Sequence, residues 1–161
     1  MSLTAQERTA LIERYARGPA LIKAALARVP PEAVQWRPGP ERWSAHEVVV
    51  HCADSESNAA LRIRYLLAET EPLIVGYDQE KWARDLHYHD QPLDLALTTV
   101  EAVRAHTVPL LRRLDDAAWA RAGRHTESGV YTAERWLRNY AEHLEKHAGQ
   151  IERNAAAWKA R

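Results

Sequence analysis

Apolar positions recur along this chain at steps of three, four and seven, the period of helices with one buried face. Leu11, Tyr15, Ile22 and Leu26 predict a first helix from about Thr4 to Arg28. Gly18-Pro19 is expected to bend it, because Pro19 has no backbone N–H and its ring crowds the preceding turn. Pro30-Pro31 ends it, and Trp36-Arg37-Pro38-Gly39-Pro40 cannot be helical throughout. A second helix opens at Ser44, with Glu47 at capping-box spacing, and runs to about Ala68 before Glu71-Pro72 stops it. Residues 71–91 form a long connection in which Gln79 to Leu86 reads as a short helix carrying Trp82. A third long helix opens at Asp90 or Gln91, with Pro92 at the tolerated first position, and runs to about Leu114 with a kink at Pro109. After a loop with Gly123 and Gly129, a fourth runs from a Thr132 N-cap to about Lys159. No segment sustains the period-two alternation of a half-buried strand. The pattern predicts an all-α protein, a single domain over 1–161: a four-helix bundle with long inter-helix connections.

Composition narrows what such a bundle does. Lys plus Arg and Asp plus Glu both number 22 in 161 residues, and a neutral chain argues against a nucleic-acid partner. No apolar run approaches the roughly 20 residues that span a bilayer, and no signal-peptide pattern opens the chain, so a cytoplasmic protein without a membrane partner is expected. One cysteine, Cys52, excludes an internal disulfide framework and any multi-cysteine zinc site. Eight histidines turn attention to imidazole chemistry.

Three of those histidines fall on core stripes. The fourth helix carries Trp136, Tyr140, Leu144, Ile151 and Trp158 on one face, and His143 and His147 lie on that face or at its edge. They are four apart, hence one turn apart on one side, where two imidazoles can converge on one metal ion. The inward face of the second helix reads Val48, His51, Cys52, Ser55 and Ala59, which points His51 at the same core beside small residues that leave room for a cavity. Three such nitrogens with open positions match a catalytic zinc pattern. The plainer alternative is a set of core histidines bonded to carbonyls or carboxylates. It weakens when three buried rings need partners at once. His46, His87, His89 and His106 read as surface or structural residues, His46 as a solvated one, and Cys52 as a small core residue.

The stretch Trp36 to Ser44, then Glu47-Val48-Val49-Val50-His51 and Ala53-Asp54-Ser55-Glu56, resembles the DinB-like superfamily, and its YfiT-type members in particular. Tyr77-Asp78 with Trp82 resembles it too, as does Tyr140-Ala141-Glu142-His143 with His147 and Gln150-Ile151. The resemblance implies a four-helix bundle in which His51, His143 and His147 hold one divalent metal, with waters in the open positions. It implies a homodimer and the activity assigned to members, metal-dependent hydrolysis. Relatives include thiol-dependent transferases that use bacillithiol- or mycothiol-type cofactors.

Three functions follow. A metal-dependent hydrolase of a small-molecule substrate would use the ion to activate water, with Asp54, Glu56 and His125 as candidates for an assisting catalytic base. A metal-dependent thiol S-transferase would stabilise the thiolate of a low-molecular-weight thiol, with Arg84 or Arg124 holding its carboxylates. A non-enzymatic metal-binding stress protein would keep only the site. Zinc is the default for three histidines, with nickel, iron or manganese open. Ligand imidazoles must be neutral, so binding is expected to fail below about pH 6.

Overall fold

The computed structural model describes residues 2–161. The bundle is built from α1 (Ala5–Leu26), α2 (Ala45–Ala68), α4 (Leu93–Leu111) and a fourth rod broken into α6 (Ala133–Ala141) and α7 (His143–Lys159); short helices α3 (Gln79–Asp85) and α5 (Asp116–Ala120) sit in the connections. Local chemistry sets the starts. Thr4 and Ser44 each close a capping box, with Glu7 and Glu47, and Thr132 accepts from the Arg135 N–H. Pro92 occupies the N-cap of α4 rather than its first turn, so that helix begins slightly later than the pattern predicts. At the far end of α2, Arg121 donates to the carbonyls of Leu66 and Glu69 at 2.9 Å, satisfying acceptors the helix leaves open.

Two apolar clusters lie end to end inside the bundle. One gathers Ile22 and Ala25 of α1, Val48 and Val49 of α2, Val100 of α4, and Leu144 and Ile151 of α7. The other gathers Ile12 and Tyr15, Ile63 and Leu66, Val108 and Leu111, and Trp136 and Leu137 of the same four rods. This order fixes the directions: α1 runs with α6–α7, and α2 runs with α4, opposite to them. Both α1 and α2 pack against α4 and against the broken rod, so they face each other across the diagonal. The parallel α2–α4 pair explains the long 69–92 connection, which must carry the chain back along a helix of 24 residues, about 36 Å.

The connections contain regular structure that the hydrophobic pattern did not predict. A three-stranded sheet of order β1-β2-β3 joins β1 (Leu73–Ile74) in parallel to β2 (Ala122–His125), and β2 antiparallel to β3 (Gly129–Thr132). These strands are too short for alternation to register. Gly123 permits the pairing, since a Cβ there would lie 2.5 Å from the Pro72 carbonyl oxygen.

Between the clusters lies a polar layer to which each rod contributes one position: Gly18, Glu56, Arg104 and His143. Glu56 and Arg104 are fully buried and form a two-pronged ion pair, Nε to Oε2 at 2.8 Å and Nη2 to Oε1 at 2.7 Å. Pro19 does not stop α1, but it has no N–H to offer the Tyr15 carbonyl; Arg104 Nη1 donates to that oxygen instead. Arg104 Nη2 also bonds the Tyr140 carbonyl at 3.0 Å, beside the break in the fourth rod. The guanidinium lies 3.9 Å from the centre of the Tyr15 ring.

Gly18 is where the guanidinium passes α1. A Cβ there would sit 2.4 Å from Arg104 Nη1 and 2.9 Å from Leu144 Cβ. Gly18→Ala is expected to cost about 1–3 kcal/mol by overpacking, despite alanine's better helix propensity. Urea denaturation measures it; equal or higher stability would mean that the layer is loosely packed.

Candidate metal centre

His51 lies in the second turn of α2, and His143 and His147 open the first two turns of α7. The break at Glu142 divides the fourth rod one residue before His143. From each ring one nitrogen lies within 4.8 Å of the nitrogens offered by the other two. The residues singled out on separate stripes of the sequence therefore meet in space. Ring centres are 5.7 Å apart for His51–His143, 4.8 Å for His51–His147 and 4.6 Å for His143–His147.

The surroundings select which nitrogen each ring offers. Glu56 Oε1 lies 3.3 Å from His143 Nδ1. Burial raises the pKa of Glu56, but the Arg104 charge and the hydrogen bonds from His143 and Arg104 outweigh it and hold the carboxyl below its ordinary range. An ionised carboxylate only accepts, so Nδ1 of His143 carries the proton and Nε2 is the nitrogen that offers a lone pair. His147 Nδ1 is 2.9 Å from Gln150 Oε1, which likewise leaves its Nε2 free. His51 differs. It is fully buried, Trp43 packs on it at 4.8 Å, and neither ring nitrogen has a hydrogen-bond partner among the described residues. Burial, then the neighbouring His147 and His143, drives its pKa to about 2; burial and His143 take His147 to about 4. Buried polar atoms without partners are costly and rare. Three converging imidazoles, two of them oriented by acceptors behind them, fit a divalent cation that takes up their lone pairs.

A cleft of about 290 Å³ opens beside His143, lined by residues that include Ser55, Arg62, Tyr77, His125 and Tyr140. Ser55 Oγ is 3.4 Å from His143 Nε2. The Tyr77 hydroxyl is buried near Ser55 without a partner of ordinary hydrogen-bond geometry. Arg62 donates to Tyr140 Oη at 3.0 Å and to the Val75 carbonyl at 2.7 Å. His125 Nδ1 accepts from the Glu127 N–H at 3.2 Å, so in the neutral ring Nε2 bears the proton. Burial, then the Arg62 charge, lowers its pKa and favours that neutral form.

Other residues of the sequence reading fall elsewhere. Asp54 accepts from Tyr88 Oη at 2.6 Å and does not join the three-histidine group. Glu56 does not stand free as a base, since Arg104 occupies both of its oxygens. Arg84 is exposed and paired with Asp85, and Arg124 is exposed on β2; neither lines the cleft beside His143. Arg62 and Arg135 do. Arg62 continues the α2 face of Ser55 and Ala59, which is legible in the sequence; Arg135 is directed by hydrogen bonds to the Ser128 and Val130 carbonyls, which is not. His46, read as solvated, is buried with Nε2 2.7 Å from the Gln91 carbonyl, which the returning connection lays over α2. Cys52 is a buried free thiol.

The family model of the DinB superfamily matches residues 14–151. A protein of Oceanobacillus iheyensis named "putative metal-dependent hydrolase" is 32% identical over 109 residues, which cover 68% of this chain and 63% of that protein. One of the same description from Bacillus mycoides is 31% identical, covering 68% and 62%. The match thus spans less than two thirds of these relatives' length. The solved structure of YfiT from Bacillus subtilis, described as a probable metal-dependent hydrolase with an unusual four-helix bundle topology, superposes with a TM-score of 0.90. It is 23% identical and the match covers 98% of this chain and 91% of YfiT.

The depressed histidines set a pH dependence. The unfolded chain binds protons near pH 6.5, whereas the folded chain holds His51 and His147 neutral to about 2 and about 4. As pH falls below 6.5 the unfolded state is protonated first, so the metal-free protein loses stability. The slope is at most about 1.4 kcal/mol per pH unit for each ring. His51 and His147 also stay neutral below the limit of pH 6 that free histidine would set. Urea titrations of metal-free protein from pH 7.5 to 4.5 should show the decline, and His51→Leu should flatten it; a parent whose stability is constant over that range would contradict the burial argument.

Proposed function

The chain belongs to the DinB superfamily, and on that premise we propose that it is a metal-dependent hydrolase of a small molecule, with His51, His143 and His147 as the ligands. The observation that carries the reading is the buried His51 ring, whose two nitrogens lack partners at the point where three imidazoles meet. Histidine nitrogen donors suit zinc first, and nickel or iron after it. A divalent cation bound there would lower the pKa of a coordinated water toward about 7 and polarise a carbonyl.

The chain's own groups supply the rest. The Tyr77 and Tyr140 hydroxyls stay protonated, since burial raises both pKa values, and the His125 Nε2–H completes a set of donors around the cleft. Such donors suit an oxygen that gains negative charge in the transition state. Asp54 and Glu56 are already held by Tyr88 and Arg104; of the three residues only His125 is on the cleft wall, and with Nδ1 accepting from the Glu127 N–H it serves there as a donor rather than as a base. The cleft volume suits a small substrate.

A second reading, thiol S-transfer, is favoured by one feature: two arginines, Arg62 and Arg135, line the cleft with a single carboxylate, Glu127. They suit the carboxylates of a bacillithiol- or mycothiol-type cofactor.

Elemental mass spectrometry on untagged protein never exposed to a nickel column tests the site. About one equivalent of metal in the parent and little in His51→Ala or His143→Ala is the expected result. No metal in the parent, even after incubation with zinc, nickel or manganese, would defeat the reading. With the site established, ester and amide panels set against low-molecular-weight thiols plus an electrophile separate hydrolysis from transfer. Metal uptake without either activity points to a non-enzymatic metal-binding protein.

A further inference from the structure

The polar layer and the three histidines are joined through one carboxylate. Glu56 Oε1 receives Arg104 Nη2 at 2.7 Å and faces His143 Nδ1 at 3.3 Å. The position of Glu56 is in turn set by Arg104, which spends four of its five N–H donors inside the bundle: two on Glu56, one on the Tyr15 carbonyl and one on the Tyr140 carbonyl. The Tyr15 carbonyl lost its helical donor to Pro19. The Tyr140 carbonyl stands three residues before His143, at the break that starts α7. One guanidinium thus touches the acceptor behind a histidine of the three-imidazole group and the backbone that sets where that histidine begins its helix.

We propose that Arg104 is the positioning residue of the three-histidine site: through Glu56 it fixes the orientation and tautomer of His143, and through the Tyr140 carbonyl it fixes the first turn of α7. This rests on the metal-site reading above. Arg104 itself touches none of the three rings; its effect passes through Glu56 and the backbone. Charge alone is not sufficient for the task. A lysine would keep the charge, but an ammonium cannot span both carboxylate oxygens and two carbonyls from different helices.

The test is zinc affinity, by competition with a chromophoric chelator, beside the visible spectrum of the cobalt-loaded protein. The variants are Glu56→Gln, Arg104→Lys and the double replacement Glu56→Leu with Arg104→Met. The double variant exchanges the ion pair for apolar groups of similar volume, which folds are known to tolerate. Ile63→Ala, in the far apolar cluster, serves as the control for destabilisation alone. All three layer variants should bind zinc about 10–100-fold more weakly, with native helical circular dichroism and an altered cobalt spectrum. Ile63→Ala should melt earlier and keep the parental affinity and spectrum. Folded layer variants with the parental affinity and spectrum would overturn the proposal, and so would an equal loss of affinity in Ile63→Ala. A parent that takes up no zinc would defeat the metal-site reading and this inference together; parental uptake with unchanged variants would defeat the inference alone.

Discussion

The buried pair Glu56–Arg104 is the interaction on which the rest of this bundle depends. It lies between two apolar clusters, where an unpaired charge would cost several kcal/mol, and it is stable there because nearly every donor and acceptor is used. Its hydrogen bonds satisfy one backbone carbonyl orphaned by Pro19 and another beside the α6–α7 break. Three irregularities that would each be a liability alone, a proline within a helix, a broken helix and a buried charge pair, thus compensate one another. His143 stands on the edge of the same layer, which ties the site to the most constrained part of the core.

Topology decides what surrounds that site. With α2 and α4 parallel, the chain must travel the length of the bundle between them, and it brings Tyr77 and α3 along the way. With α4 and the fourth rod on opposite corners, the 112–132 connection crosses the bundle end and brings His125 and Tyr131 on the short sheet. The histidines therefore come from rigid helices, while much of the cleft wall comes from connections. Imidazoles set on helices, with walls made of connections, form an arrangement on which one bundle can support several chemistries.

Burial also sets the charge state of the site. His51 and His147 are kept neutral because the interior disfavours a cation and the neighbouring imidazoles would repel it. The ordering force is therefore desolvation, with Glu56 and Gln150 choosing which nitrogen is free. The same burial leaves the two nitrogens of His51 without a hydrogen-bond partner among the described residues.

Four long helical segments, the caps at Thr4, Ser44 and Thr132, and the three core-facing histidines are legible in the sequence; the break at Glu142 and the short helix α5 are not. Capping boxes at Thr4 and Ser44 are local, and an apolar stripe with His51, or with His143 and His147, follows from the period of one helix. The stripes raised a shared three-nitrogen site as one reading, and the resemblance to the family implied that these three histidines hold one metal. Tertiary structure alone decided the remainder. Arg104 and Glu56 are 48 positions apart, and nothing local distinguishes either from a solvated charge on a helix face. His46 read as solvated because the Gln91 carbonyl that covers it arrives from a distant connection. The sheet pairs strands of two to four residues, too short for a pattern. Arg84 and Arg124 suit a thiol's carboxylates by charge, which is legible in the sequence, but not by direction, which is not. What one helix turn can enforce is written in the sequence; what needs two elements to meet is decided when the chain packs.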